Sequence, residues 1–390
     1  MKKIVIAFLI GLLIIPGYTQ NNEELQAQID NVADNLARDI ANRWKFKGDF
    51  RFRNEDITQE LSADRNRNRL RLRIGATGIV NDEIKAEFQL ATTENGDARS
   101  SNQSLTDANS RKALDLDLAY VEYSPNLSSK LVLGKQKYPW YKTSSYFFDN
   151  DVNPEGASLS YTNNINGLFV IGTLADLSER SSATDSSMAA LQVGKRGKIN
   201  SDTSYTLAVG YFDHRAVQNY SVVQAGSAGG VFGNTTKTAG CLGGATTCLA
   251  NDYDVLIASA ELSGRLLDQP IVFFVDYGHN NKAKLYNNSE AFGFTYGKAS
   301  LPGSYELGYT YQKTGKDALF SQWIDSDFGA GNSDSKGHAI RGAYQFGKNW
   351  RANFTYFINE TNNDVPVVIS NAQVFDREYH RLQLDLNYSF

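Results

Sequence analysis

Arg65-Asn66-Arg67-Asn68-Arg69-Leu70-Arg71-Leu72-Arg73-Ile74 sets cations and aliphatics in strict alternation near the start of the chain. Arginine stands at every second position from Arg65 to Arg73, and Leu70, Leu72 and Ile74 fill the alternate ones. A period of two is the period of a β-strand, so the arginines share one face and the aliphatics the other. On a helix the same residues would scatter around the axis. The apolar face requires a greasy neighbour, and the cationic face requires water, anions or carboxylates. The stretch therefore reads as part of a wall with lipid on one side and an aqueous lumen on the other.

The flanking chain fits the same reading. Trp44, Phe46, Phe50 and Phe52 alternate with Lys45, Lys47, Asp49, Arg51 and Arg53. Ile84, Ala86, Phe88 and Leu90 alternate with Lys85, Glu87 and Gln89. In a fourth strand the pattern places Leu114, Leu116, Leu118 and Tyr120 outward, with Asp115 and Asp117 inward. Tyr305-Leu307-Tyr309-Tyr311 and Trp350-Ala352-Phe354-Tyr356-Ile358 repeat the scheme. Segments 167–174 and 270–279 are apolar on both faces and their orientation stays open. The expected total is about sixteen antiparallel strands over 44–390. Connections at 54–64, 92–113, 139–156, 175–187, 213–252, 280–288, 314–336 and 359–376 are long. Those between them are short. An even strand number with alternating long and short connections is the pattern of a closed up-and-down outer-membrane barrel.

Composition agrees. The chain has 390 residues, 21 Tyr and 21 Phe but only 7 Pro, and its mean hydropathy is -0.41, which excludes a bundle of membrane helices. Met1-Lys2-Lys3, the apolar run Ile4–Ile15 and Pro16-Gly17-Tyr18-Thr19 have the layout of a bacterial secretory signal, expected to end near residue 19. Loss of Lys2 and Lys3 takes the formal net charge from -4 to -6, and with no basic surplus no nucleic-acid partner is expected. Leu25, Ile29, Val32, Leu36 and Ile40 put one narrow apolar stripe on a periplasmic helix over 20–43. That stripe suits either a short coiled coil or a helix with no partner. Cys241 and Cys248 are candidates for a local disulfide in an oxidising compartment, free thiols being the alternative.

The last strand alternates Leu382, Leu384, Leu386, Tyr388 and Phe390 with Arg381, Gln383, Asp385, Asn387 and Ser389. It resembles the terminal strand of outer-membrane barrels, which ends in Phe and is read by the barrel assembly machinery. Asp64–Arg73, Asp115-Leu116-Asp117-Leu118-Ala119-Tyr120-Val121, Leu133-Gly134-Lys135 and Asn153-Pro154-Glu155-Gly156 together resemble a bacterial porin family with a short N-terminal helix. The resemblance implies an outer-membrane channel in contact with lipid and lipopolysaccharide, assembled as a homotrimer. It also implies that the loop after the fifth strand, here 139–156 with Asp149, Asp151 and Glu155, folds into the lumen against a basic wall.

On this reading Lys45, Lys47, Arg51, Arg53, Arg67, Arg69, Arg71 and Arg73 line the pore. Glu87, Asp115, Asp117, Asp149, Asp151 and Glu155 supply the opposing acid. Rings of Arg and Lys bias a pore toward anions, so an anion-selective or substrate-specific channel is the nearest alternative. A structural or adhesive barrel and an outer-membrane hydrolase are alternatives of another class. The four histidines, His214, His279, His338 and His380, are scattered over the outer ends of different strands and form no catalytic motif. Asp325, Asp327 and Asp334 fail the spacing of a calcium loop. No reaction, cofactor or metal is expected.

Overall fold

The computed structural model describes residues 22–143, 146–221 and 230–390, so the expected signal segment 1–19 lies outside the described residues. Helix α1 (Asn22–Arg43) leads directly into the first strand. The barrel strands are β1 (Trp44–Gln59), β2 (Arg65–Ile79), β3 (Ile84–Thr92), β4 (Leu114–Tyr123), β5 (Ser129–Lys135), β6 (Glu155–Thr162), β7 (Leu168–Ser178) and β8 (Ser186–Lys198). They continue as β9 (Ser204–Arg215), β10 (Tyr253–Leu266), β11 (Gln269–Asn280), β12 (Asn288–Gly297), β13 (Tyr305–Thr314), β14 (Ser335–Gln345), β15 (Trp350–Thr361) and β16 (Arg377–Ser389). Each pairs antiparallel with its sequence neighbours, and β1 pairs with both β2 and β16. The sheet is a closed barrel of sixteen strands with no free edge. Gly48 and Phe390 exchange backbone hydrogen bonds of 3.0 Å, which carries the closure to the last residue.

The outward face is apolar and has no protein cover. Leu159 on β6, Leu174 on β7 and Phe273 and Val275 on β11 are each about half exposed. A continuous apolar band of this kind faces lipid. At the short-turn rim Phe346, Trp350, Tyr388 and Phe390 form a chain of rings with centroids 6.2, 4.8 and 6.1 Å apart. Their amphipathic rings suit the headgroup level. Among the described residues no helix is long and apolar enough to cross a membrane.

Turns 80–83, 124–128, 163–167, 199–203, 267–268, 298–304 and 346–349 crowd one rim. Connections 93–113, 136–154, 216–252, 315–334 and 362–376 crowd the other. The barrel convention places the short turns in the periplasm, and α1 enters β1 at this same rim. Val32 and Leu36 on that helix are exposed.

Three expectations are corrected. The segment 54–64 is not one loop: β1 runs through Gln59, and Asn54 to Ile57 pair with β2 on one side and β16 on the other. Its polar residues are strand residues facing the lumen or the rim. Leu118 and Tyr120 do not face out. A bulge between Gln89 and Leu90 on β3 sets Leu116 opposite Leu90 and Leu118 opposite Gln89. One extra residue, Asp117, flips every later side chain of β4 to the other face. Leu118 is fully buried inside, and Ala119, Val121 and Tyr123 take over the outward side. Finally, β6 begins at Glu155, so this residue belongs to the ladder and not to the loop.

The two open orientations are resolved by what covers the inside. Leu168 and Leu174 face out while Phe169, Ile171 and Thr173 face in. On β11, Phe273, Val275 and Tyr277 face out and Phe274 faces in. Apolar residues are tolerated on these inner faces because loops fill the lumen beside them.

Candidate functional site

The registers of β1, β2 and β16 build a cationic wall. Arg51 stands opposite Arg71 and Arg53 opposite Arg69 on the β1–β2 ladder. Like charges so placed are destabilising unless carboxylates intervene. They do. Asp49, opposite Arg73, accepts two hydrogen bonds from Arg71 at 2.5 and 2.8 Å. Glu55, opposite Arg67 and fully buried, accepts from Arg67 Nε at 2.5 Å and from Arg381 at 2.6 Å, with Arg53 and Arg69 at 3.5 and 3.7 Å. Asp385 holds Arg53 in a two-bond fork at 2.6 and 2.8 Å and lies 3.6 Å from Arg51.

Two loops descend onto this wall. The first, 136–154, starts and ends on a paired base: Lys135 stands opposite Glu155 and Gly134 opposite Gly156. A Cβ on Gly134 or Gly156 would lie 2.2 or 2.1 Å from a carbonyl of the next strand, so only glycine fits there. The loop then crosses the barrel. Gln192 on β8 both donates to and accepts from the Tyr141 backbone at 2.9 and 2.7 Å. The Tyr141 hydroxyl donates to Glu261 on β10 at 3.0 Å, and Thr143 donates to Asp276 on β11. Tyr146 packs on Phe357 of β15, and the return limb brings Asp151 to Arg73 on β2. Asp151 also accepts from the Ser101 backbone and hydroxyl at 2.9 and 2.8 Å.

The second loop, 315–334, was not anticipated from the sequence. Its Asp327 pairs with Arg381 at 2.8 Å and Arg53 at 3.2 Å and accepts from Gln383 at 2.9 Å. Asp325 accepts from the Asp327 and Phe328 backbone at 2.9 and 2.7 Å, and Asp334 accepts from that of Asp364 and Val365. These acids are therefore not gathered around a cation, and no metal-ligand cluster occurs among the described residues.

The two loops are bonded to each other. Asp149 donates its backbone N–H to the Trp323 carbonyl at 2.8 Å and accepts from Ser326 at 2.9 Å. Between them lies an aromatic core of Trp140, Phe147, Phe148, Phe320 and Trp323, seated on Phe212, Tyr253 and Val255 of the wall. His214 is buried in this core, 4.8 Å from the Phe320 ring, whereas His338 and His380 sit outside, bonded to Tyr309 and Tyr356. A third connection, 93–113, joins them. Arg99 donates to the Gly331 carbonyl at 2.8 Å and stacks on Phe232 at 3.4 Å, and Asn102 accepts from Arg69 at 2.7 Å.

The loop acids divide into two kinds. Arg73 and Arg71 hold the Asp151 carboxyl well below the usual range, and Arg381 and Arg53 do the same for Asp327, in each case against the cost of burial. Burial, and then the neighbouring Asp325, push Asp149 up. Burial and Asp327 push Asp325 up to about 6. The anchoring acids stay charged, and the pair at the loop junction holds its protons to higher pH than ordinary carboxyls.

The expected residues thus fall into groups. Arg51, Arg53, Arg67, Arg69, Arg71 and Arg73 point inward as one cluster with Asp151. Lys45 and Lys47 lie nearer the short-turn rim, where Lys47 pairs with Glu87 at 2.6 Å. Asp117 accepts from Gln89 at 2.5 Å and Asn153 at 2.6 Å, and Asp115 is exposed above it. Glu155 does not reach the arginines, pairing instead with Lys135 at 2.6 Å. Cys241 and Cys248 form a disulfide within 216–252. Glu55, Arg99, Asp327, Arg381 and Asp385 belong to the cluster although sequence reading did not select them. The inward parity of Glu55, Arg381 and Asp385 was the available signal. Asp327 carried none, because its partners are set by barrel closure.

Residues 57–239 match a family model described as "Putative porin". No curated protein matches the chain. Among solved structures, the high-pH structure of OprB from Pseudomonas putida is similar with a TM-score of 0.58 at 11% identity, over 93% of this chain and 97% of that one. OmpF of Salmonella typhi, in complex with daunomycin, is similar with a TM-score of 0.52 at 10% identity, over 89% and 97%. At these identities the likeness is one of fold. Closed sixteen-stranded architecture, lipid-facing band and family match together describe a porin-type β-barrel of the bacterial outer membrane.

Proposed function

We propose that the protein is a passive channel for ions and small polar solutes, narrowed by loops 136–154 and 315–334. The observation that carries this reading is the closed barrel whose inward face is charged while two loops cross its lumen. A sixteen-stranded barrel encloses a water-filled passage unless loops obstruct it. Cavities between the loops and the β3–β7 wall support loops that narrow the lumen without filling it.

In this reading the arginine ladder is an anchorage. Its guanidinium groups hold Asp151, on the return limb of the first loop, and Asp327, within the second, and so fix the width of the passage. The same pairing weakens the anion-selective alternative, because Asp49, Glu55, Asp151, Asp327 and Asp385 offset most of the ladder's charge within the cluster. The homotrimer implied by the porin resemblance is kept as part of the proposal, and cross-linking in membranes tests it. The channel itself is tested by adding purified protein to a planar lipid bilayer in KCl. Discrete conductance steps are expected, and a correctly folded barrel that gives none overturns the reading.

A further inference from the structure

With the arginines committed to the loops, the open space lies elsewhere. Two cavities, of about 640 and 180 Å³, sit between the in-folded loops and the wall of β3–β7. Gly96, Ala98, Lys135 and Asn153 line both, so the two adjoin. Each is large enough to hold several waters.

The charge around them is one-sided. The larger cavity is lined by Glu155, Asp176, Glu179 and Asp185, and the smaller by Asp97, Asp115, Asp117 and Asp151. Against these stand Lys135 and Arg180, and Asp151 is already taken up by Arg73. Lys135 is paired with Glu155, and Arg180 is held at the rim by the Thr184 carbonyl and Ser186 hydroxyl, both at 2.8 Å, and by the Tyr220 ring. Lys137, exposed on loop 136–154, adds one cation in the field of Asp117. Among the described residues Asp115, Asp176 and Glu179 have neither a cation nor a hydrogen-bond donor as partner. Asp117 is hydrogen-bonded only by neutral amides, with Lys137 and Arg73 in its field but not bonded to it. Glu155 and Asp176 stand directly opposite on the β6–β7 ladder, an arrangement that a cation between them relieves.

A second, independent observation lies at the junction. Asn153 is only 5% exposed and lines both cavities. Its Nδ2 donates to Asp117, while its Oδ1 is buried without a partner. A buried acceptor left over beside a polar cavity calls for a solute or water that brings donors.

We infer that these joined cavities form a cation-selective track, through which K⁺ and small solutes bearing ammonium or guanidinium groups pass in preference to anions. The inference rests on the channel reading above and names the class of permeant. The carboxylates concentrate cations at the long-loop mouth, and Asn153 with Asp117 offers acceptors where the track narrows. A potential of about one kT inside the track favours monovalent cations over anions on the order of sevenfold.

The test is the reversal potential of wild-type channels across a KCl gradient, compared with Asp115→Asn/Asp176→Asn/Glu179→Gln. None of these residues anchors a loop, and retained heat-modifiability on gels confirms that the variant folds. Cation preference in the wild type that falls severalfold toward unity in the triple variant is expected. In liposome swelling, arginine enters wild-type vesicles faster than glutamate, and the variant loses that difference. A wild-type permeability ratio at or below one, or a ratio unchanged in the variant, overturns the inference while leaving the channel standing. Absence of any conductance overturns the channel reading itself.

Discussion

Glu55→Gln removes the carboxylate on which four arginines converge. Glu55 is fully buried and takes 2.5 and 2.6 Å bonds from Arg67 and Arg381, with Arg53 and Arg69 within 3.7 Å. Glutamine keeps the shape and one acceptor oxygen but leaves a buried cationic cluster short of one negative charge. Removing one member of a buried ion pair costs about 3–5 kcal/mol. At about 2 °C per kcal/mol, the low end for large domains, the apparent melting temperature drops by about 6–10 °C. Heat-modifiability on gels or thermal circular dichroism in detergent, at one scan rate, reads the shift. Glu360→Gln supplies the control. Its partner Lys336 lies 2.9 Å away on the exposed rim, and such pairs contribute under about 1 kcal/mol. Adding Arg381→Gln to Glu55→Gln restores charge balance and recovers about 1–3 kcal/mol of the loss. A shift for Glu55→Gln no larger than that for Glu360→Gln would show that water, not carboxylate, satisfies the ladder, and the anchorage account would fail.

Three further outcomes follow from the loops. Because Asp149 and Asp325 have folded-state values above the ordinary carboxyl range, the stability they contribute is full below that range and is lost as pH rises through their raised values, about 6 for Asp325. Channel noise from loop motion should therefore grow between about pH 5 and 8, and Asp325→Asn should flatten that profile. Asp151 and Asp327 are shifted the other way, so their pairing is present above the ordinary carboxyl range and persists across the same interval. Reducing Cys241–Cys248 releases a constraint of roughly 2–3 kcal/mol confined to 216–252. Limited proteolysis should speed up there while the barrel's thermal transition stays in place.

The period of two exposed most of the wall, since lipid and lumen impose opposite polarity on alternate residues. It succeeded on β1, β2 and β16, where Arg and Leu or Phe alternate without interruption. It failed at Asp117, where one bulged residue inverts the pattern without changing composition. It was silent on β7 and β11, whose inward Phe169 and Phe274 are apolar because loops, not water, lie beside them. Loop 136–154 was legible through its acids and its porin-like position. Loop 315–334 was not, because Asp327 finds Arg53 and Arg381 only after the first and last strands meet. The strand character of Asn54–Gln59 was hidden because its outward-parity residues Asn54, Asp56 and Thr58 are polar, so the alternation stops near the mouth although the ladder continues.

Two loops, tethered by Asp151 and Asp327 to the arginine ladder, set the width of the proposed channel. Single-channel conductance of Asp151→Asn/Asp327→Asn against wild type tests it most directly, under the same salt and with heat-modifiability confirming an intact barrel. A larger step conductance, with more frequent fluctuation between levels, is predicted for the double variant. A folded double variant whose conductance equals that of the wild type would contradict the claim.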